Sequence, residues 1–239
     1  MAITWNFTFV RRWPRFTKNL ILFVFTLFGT KAHAQDASLY PSFLFDMRYG
    51  FITSKSKLVV SNDTGSALGY GVGAFAGQSR NIEFHLGFET DTTPYLLNKS
   101  NVSYDWQDTK LRYHYGYFYA GAVFSRLNLK VKSAGADTVD ASGSGYGGST
   151  GFLLPLGKAS VFRTDISTVS ISKMTNALTG TASVPSRLDI DIGASVETGW
   201  KWLDFDFGYR MRTLSIKRDK AYSDTETCTY IGLRLQTTH

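Results

Sequence analysis

The sequence predicts an all-β fold, a closed antiparallel up-and-down barrel of ten strands, with eight as the alternative. Three observations carry this. Apolar and polar residues alternate with a period of two over run after run, the mark of strands with two unlike faces. The connections between runs alternate long, short, long, short. The number of runs is even, which puts both ends of the array on the short-turn side, as closure requires.

The alternation is clearest over residues 187–216. Leu188, Ile190, Ile192, Ala194 and Val196 share one face, and Asp189, Asp191, Gly193, Ser195 and Glu197 share the other. After a turn at 199–201 the pattern resumes. Leu203, Phe205, Phe207, Tyr209 and Met211 oppose Asp204, Asp206, Gly208, Arg210 and Arg212. Two such runs joined by a short turn form a hairpin. One face is almost purely apolar and the other carries full charges. A transmembrane barrel turns such faces to lipid and lumen. A soluble periplasmic β-protein, hiding the apolar face, is the alternative.

The N-terminus reads as a targeting signal. Arg11, Arg12, Arg15 and Lys18 flank an apolar run over 20–28, and Ala32-His33-Ala34 supplies small residues at the positions a signal peptidase reads. Cleavage is expected before Gln35, giving a secretory signal peptide over 1–34 and a barrel domain over 35–239. The apolar run is too short for a spanning helix, which needs about 20 residues. Five of the 26 basic residues and none of the 19 acidic ones precede Gln35. The remainder therefore holds 21 basic and 19 acidic groups, a net +2, and no nucleic-acid footprint is expected. Cys228 is the single cysteine, so no intramolecular disulfide can form.

In chain order, the first strand is read over 43–53, with Phe43, Phe45, Met47, Tyr49 and Phe51 opposing Asp46 and Arg48. A polar loop over 54–65 follows. The second spans 66–78, with Leu68, Tyr70 and Val72 against Gly69, Gly71 and Gly73. The third spans 82–90, where Ile82, Phe84, Leu86 and Phe88 oppose Glu83, His85, Gly87 and Glu89. After a loop over 91–101, the fourth spans 103–115, with Leu111, Tyr113 and Tyr115 against Arg112 and His114. The fifth spans 117–131. Its Tyr119, Val123, Leu127, Leu129 and Val131 are read as the lipid face, with Arg126 in the lumen. A loop over 132–142 leads to a glycine-rich sixth strand over 143–154. The seventh spans 159–172, with Phe162, Thr164 and Ile166 opposing Arg163 and Asp165. Loops over 173–186 and 217–224 bracket the hairpin already described. The last strand spans 225–236, with Ile231, Leu233 and Leu235 against Tyr230, Gly232 and Arg234. The strand glycines fit a small barrel if they relieve crowding in the lumen.

Two groups of residues are singled out. Tyr113, Tyr115, Tyr117, Tyr119, Trp200 and Trp202 cluster beside short turns and would form an aromatic girdle at one membrane interface. Asp46, Arg48, Glu83, His85, Arg112, His114, Arg163, Asp165, Asp189, Asp191, Asp204, Asp206, Arg210, Arg212 and Arg234 would form a structural charge network in the lumen. Their signs nearly balance. Buried charges need partners, and a selective pore would show one dominant sign. A narrow or plugged lumen is therefore expected rather than a wide channel.

The chain resembles the small bacterial outer-membrane β-barrel proteins over residues 35–239, on its signal segment, face alternation and loop rhythm. The closing run Tyr230-Ile231-Gly232-Leu233-Arg234-Leu235 resembles the family's assembly signal, although the chain ends Gln-Thr-Thr-His rather than on an aromatic residue. The resemblance implies an integral outer-membrane location. It also implies contact with outer-membrane lipid and lipopolysaccharide, and passage through periplasmic chaperones and the barrel-assembly machinery. Barrel hydrolases of this architecture use a histidine near the outer rim. Here His85 and His114 sit beside short turns, at the opposite end. No catalytic, cofactor-binding or metal-ligating residue is assigned, and no phosphate loop or metal spacing occurs. The expected role is structural or surface-interacting, through the outer loops. A narrow pore is the alternative, and a membrane hydrolase the third.

Overall fold

A computed structural model describes residues 41–237 apart from 57–60, 78–79, 96–98, 134–135, 157–158, 180–181 and 218–220. The signal segment and its cleavage point lie outside the described residues. Ten strands are present among those described: β1 (Phe43–Ser56), β2 (Ser61–Ala76), β3 (Ile82–Tyr95), β4 (Ser100–Tyr115), β5 (Phe118–Ser133), β6 (Ala136–Pro155), β7 (Ser160–Asn176), β8 (Ala182–Glu197), β9 (Leu203–Lys217) and β10 (Ala221–Gln236). Each pairs antiparallel with its chain neighbours, and β1 pairs with β10 to close the ring. Closure leaves no unpaired strand edge. The glycine-rich runs are full strands, β2 of 16 residues and β6 of 20, so the eight-strand alternative falls.

The short turns use glycine where the backbone demands it. Gly116 and Gly199 have φ of +59° and +91°, a region that L side chains avoid. Gly116 and Tyr117 make the two-residue link from β4 to β5.

The expected long outer loops are not loops. Most of 54–65, 91–101, 132–142, 173–186 and 217–224 lies in strands. Their polar composition signalled loop. A ladder hydrogen bond, however, is made by the backbone, and an outward polar face suits a strand standing in water. The length resides in the wall. Sixteen residues of strand run about 53 Å, or roughly 40 Å along the axis at the usual tilt. The apolar band of an outer-membrane barrel is only about 25 Å tall.

The wall has two zones. On β9, outward Leu203, Phe205, Phe207, Tyr209 and Met211 give way to Thr213 and Ser215, while inward Asp204, Asp206, Arg210 and Arg212 give way to buried Leu214 and Ile216. On β7, outward Ile166 is followed by Thr168 and Ser170, and inward Ser167 by buried Val169 and Ile171. On β1, outward Phe51 is followed by Thr53 and Lys55, while the inward side passes from Asp46 and Arg48 to buried Ile52. On these strands both faces exchange character within a residue or two. Toward the short turns the barrel is apolar outside and polar inside. Beyond the exchange it is polar outside and largely apolar inside, as in a soluble protein.

The inner apolar cluster fills the far half. Tyr95, Val102, Tyr104, Trp106, Leu127, Leu129, Val131, Ala141, Val169, Ile171, Met174, Leu214 and Ile216 pack together there with Val123. Leu127 and Ile171 are fully buried. Each such side chain contributes roughly 1.5–3 kcal/mol by leaving water.

This zoning corrects the reading of β5. Tyr119, Val123, Leu127, Leu129 and Val131 point inward and are buried, while Arg126 is exposed on the outer wall. The near half of β5 is apolar at both parities, so alternation alone does not fix its face. Ladder partners do. Phe124 lies opposite Tyr146, itself 74% exposed, and Arg126 lies opposite Ser144.

Candidate functional site

The barrel interior holds the concentration of chemistry. Alternation on each strand delivers polar side chains to it, and cross-strand register decides which of them meet. The charges form three connected groups.

The first lies near the short turns. Arg112 bonds Glu83 (3.2 Å), Asp165 and Ser149 (3.2 Å). His114 Nε2 is 2.8 Å from Glu83 Oε2. The Tyr119 hydroxyl donates to Asp165 at 2.9 Å, and the Arg112 guanidinium lies 4.6 Å from the Tyr119 ring centre. Tyr119 thus belongs to the lumen, not to the girdle. Because Tyr117 is a turn residue, alternation restarts at Phe118, and Tyr119 pairs with inward His114. Tyr113 and Tyr115 are exposed on β4, Tyr117, Trp200 and Trp202 are exposed in the short turns, and the two indoles stack 5.5 Å apart.

The second group centres on Asp206. Arg163 donates to both its oxygens (2.5 and 2.9 Å), Arg48 to one (3.0 Å) and Ser195 to the other (3.2 Å). Arg163 also donates to the Tyr230 hydroxyl at 2.7 Å, which donates in turn to Asp191 at 2.7 Å. Tyr230 reaches this position by lying across two glycines. A Cβ on Gly193 would stand 2.6 Å from the Tyr230 oxygen, and Gly208 is its ladder neighbour. Asp46 pairs with His85 at 3.2 Å. Toward the short turns, Arg234 donates to Ser195 (3.2 Å) and Gln236 to Asp204 (3.1 Å).

The third group lies under the apolar cluster. Arg212 bonds Asp189 (2.8 Å), Glu89 (2.8 Å) and Asp91, and Arg210 bonds Glu89 and Asp91 (3.3 Å). Fully buried Arg187 donates to both oxygens of Asp108 (3.0 and 2.7 Å) and to Ser125 (3.2 Å), and lies 3.0 Å from Asp189. The guanidinium groups of Arg187 and Arg212 stand 4.6 and 4.7 Å from the Trp106 ring centre. Tyr104 donates to Asp224 at 2.5 Å just beyond.

Asp91, Asp108, Lys110, Arg187, Asp224 and Glu226 were absent from the sequence assignment. The signal was there: each shares the parity of an assigned inward residue on its strand. Asp91, Asp224 and Arg187 lie in polar stretches whose composition reads as loop or strand end, where parity has no apolar partner to mark it.

A cavity of about 180 Å³ runs along this interior. Its lining reaches from Leu44, Phe75 and Leu153 at the short-turn end to Arg212 and to Trp106 of the apolar cluster. His85 and His114 take different carboxylates and do not form one constellation. Each acid of the lining that meets an arginine is held by it, which suits a rigid interior better than proton transfer.

No family model matches the sequence, and no curated protein does. The structural neighbours are bacterial outer-membrane β-barrels. Neisserial surface protein A is 13% identical, with 82% of this chain and 97% of that one covered at a TM-score of 0.46. The β domain of the Bordetella autotransporter Brka is 12% identical, with 82% and 100% covered at 0.48. The P. putida toluene transporter TodX is 10% identical, with 87% and 93% covered at 0.41. No ligand or activity carries over at such values. The architecture of this chain rests on its own strand ladders.

Proposed function

We propose that this protein is an integral outer-membrane barrel that does not conduct, and that it presents a raised polar collar at the cell surface in a structural or surface-interaction role. One observation carries the reading: the outer wall changes from apolar to threonine and serine where the interior changes from charged to apolar. The lower zone fits lipid outside and a braced polar lumen inside. The upper zone fits water outside, and its packed core closes the bore. The interaction surface is then the collar wall and its short hairpin ends, in place of long loops.

Planar-bilayer recording of the folded chain tests the closed bore. A silent bilayer, with insertion confirmed by protease protection, is the expected result. Stable unitary steps that change on Arg210→Gln or Arg212→Gln substitution would replace this reading with a narrow pore.

A further inference from the structure

The collar wall is not uniformly neutral. Outward positions above the exchange are mostly threonine and serine: Thr53, Thr64, Thr90, Thr168, Ser170, Thr213 and Thr225. The outward cations on this wall, among the residues whose side chains are described, are Lys55 on β1, Arg126, Lys130 and Lys132 on β5, and Lys173 on β7. Four of these five sit on one three-strand face, across the barrel from β1.

Register brings them together. Arg126 lies opposite Ser144 on β6, and Ser144 lies opposite Lys173 on β7. With neighbouring strands about 4.8 Å apart, Arg126 and Lys173 stand roughly 10 Å from each other. Lys130 is four residues further up β5, about 13 Å. Lys173 is there because of a bulge. Ile171 and Met174 are both buried inward, so Ser172 and Lys173 are both exposed, and the ladder with β6 shifts at that point. A bulge re-aims a side chain in this way.

Two of these four cations have an acid beside them, and Arg126 and Lys173 do not. Lys132 pairs with Asp137 at 3.8 Å. Arg126, Lys130 and Lys173 make no ion pair among the described residues, although Asp140 faces Lys130 in the ladder. Asp105, on β4, is bonded by Thr90 at 2.9 Å. Directly below Arg126 lies the lipid-facing pair Phe124 and Tyr146, with ring centres 5.1 Å apart. Apolar surface below and unpaired cations at the boundary match an amphiphile with acyl chains and an anionic headgroup. Phosphate is an anion that arginine and lysine both bind, and it is the one that membrane lipid headgroups commonly carry.

We infer that Arg126, Lys130 and Lys173 form a docking site for a phosphate-bearing lipid headgroup of the surrounding leaflet. The inference rests on the membrane reading above. A lipid seated there would have its chains against Phe124 and Tyr146 and its phosphate between β5 and β7.

The test uses the full chain folded into vesicles of digalactosyldiacylglycerol, a neutral host lipid without phosphate. These are doped with a bisphosphorylated glycolipid or its phosphate-free counterpart, and retained lipid is counted by native mass spectrometry after extraction. The wild-type chain is expected to retain the phosphorylated form preferentially. R126Q is expected to weaken retention about fivefold, and R126Q/K130Q/K173Q by about that factor per cation removed. K55Q, on the opposite wall, is expected to change nothing. Equal retention of the two lipids, or displacement of the lipid by millimolar inorganic phosphate, overturns the inference alone. Failure of the wild-type chain to insert, read by protease sensitivity, overturns the membrane reading and the inference with it.

Discussion

Arg187 shows at the scale of one residue how the interior is braced. It is fully buried, and its guanidinium is shared between Asp108, Asp189 and Ser125 beneath the Trp106 ring. Removing one member of such a group leaves a buried charge without its partner, which costs about 3–5 kcal/mol. Arg187→Leu should lose that much in urea unfolding from vesicles. Arg187→Leu with Asp108→Leu should lose clearly less, because no orphaned carboxylate then remains at that position. Equal losses would mean that the ion pair is incidental. The glycine beneath Tyr230 makes a second residue-scale case. Gly193→Ala places a methyl group 2.6 Å from the phenol oxygen, and should cost about 1–3 kcal/mol through displacement of that ring. The tyrosine's place in the lumen was legible in the sequence from the parity of β10. Its two bonds to Arg163 and Asp191 were not, since they join β10 to β7 and β8 through the interior.

At the scale of the element, β9 is legible almost to the residue, because its two faces differ at every step. On β5 periodicity fails. Phe118, Ala120, Ala122 and Phe124 on one parity and Tyr119 and Val123 on the other are all apolar, so the pattern does not choose between two faces. The polar strand ends failed for a related reason: local composition says loop, while pairing is a property of two strands together. The zoning makes a direct prediction along β9. On the proposed membrane reading, Phe207→Arg places a charge against lipid and should destabilise by about 2–4 kcal/mol. Ser215→Arg, in the collar, should stay within about 0.5 kcal/mol of the parent. Similar costs at both positions, measured by equilibrium unfolding from vesicles, would place the two residues in one environment.

For the molecule as a whole, two opposite polarity codes share one ladder. The lower barrel must satisfy its charges internally, and most of its described arginines and carboxylates do so in linked groups. The upper barrel keeps a core like that of a soluble protein, so its stability should respond to cavities as such cores do. Leu127→Ala should cost about 2–5 kcal/mol without preventing membrane insertion, since the apolar outer face is untouched. Barrel closure and strand number could be read from turns and alternation. The collar could not, because its existence depends on the inside and outside exchanging character together, and a one-strand pattern reads that exchange as the end of the strand.

The boundary itself can be measured. Single cysteines at Ile166 and Ser170 on β7, and at Phe207 and Ser215 on β9, in a Cys228→Ala background, would be reacted on intact cells with a membrane-impermeant maleimide. Labelling at Ser170 and Ser215, with Ile166 and Phe207 silent until detergent is added, is the predicted result. Equal labelling at both positions of either strand, or no labelling of Ser170 and Ser215 until the cells are opened, would contradict a collar standing outside the membrane.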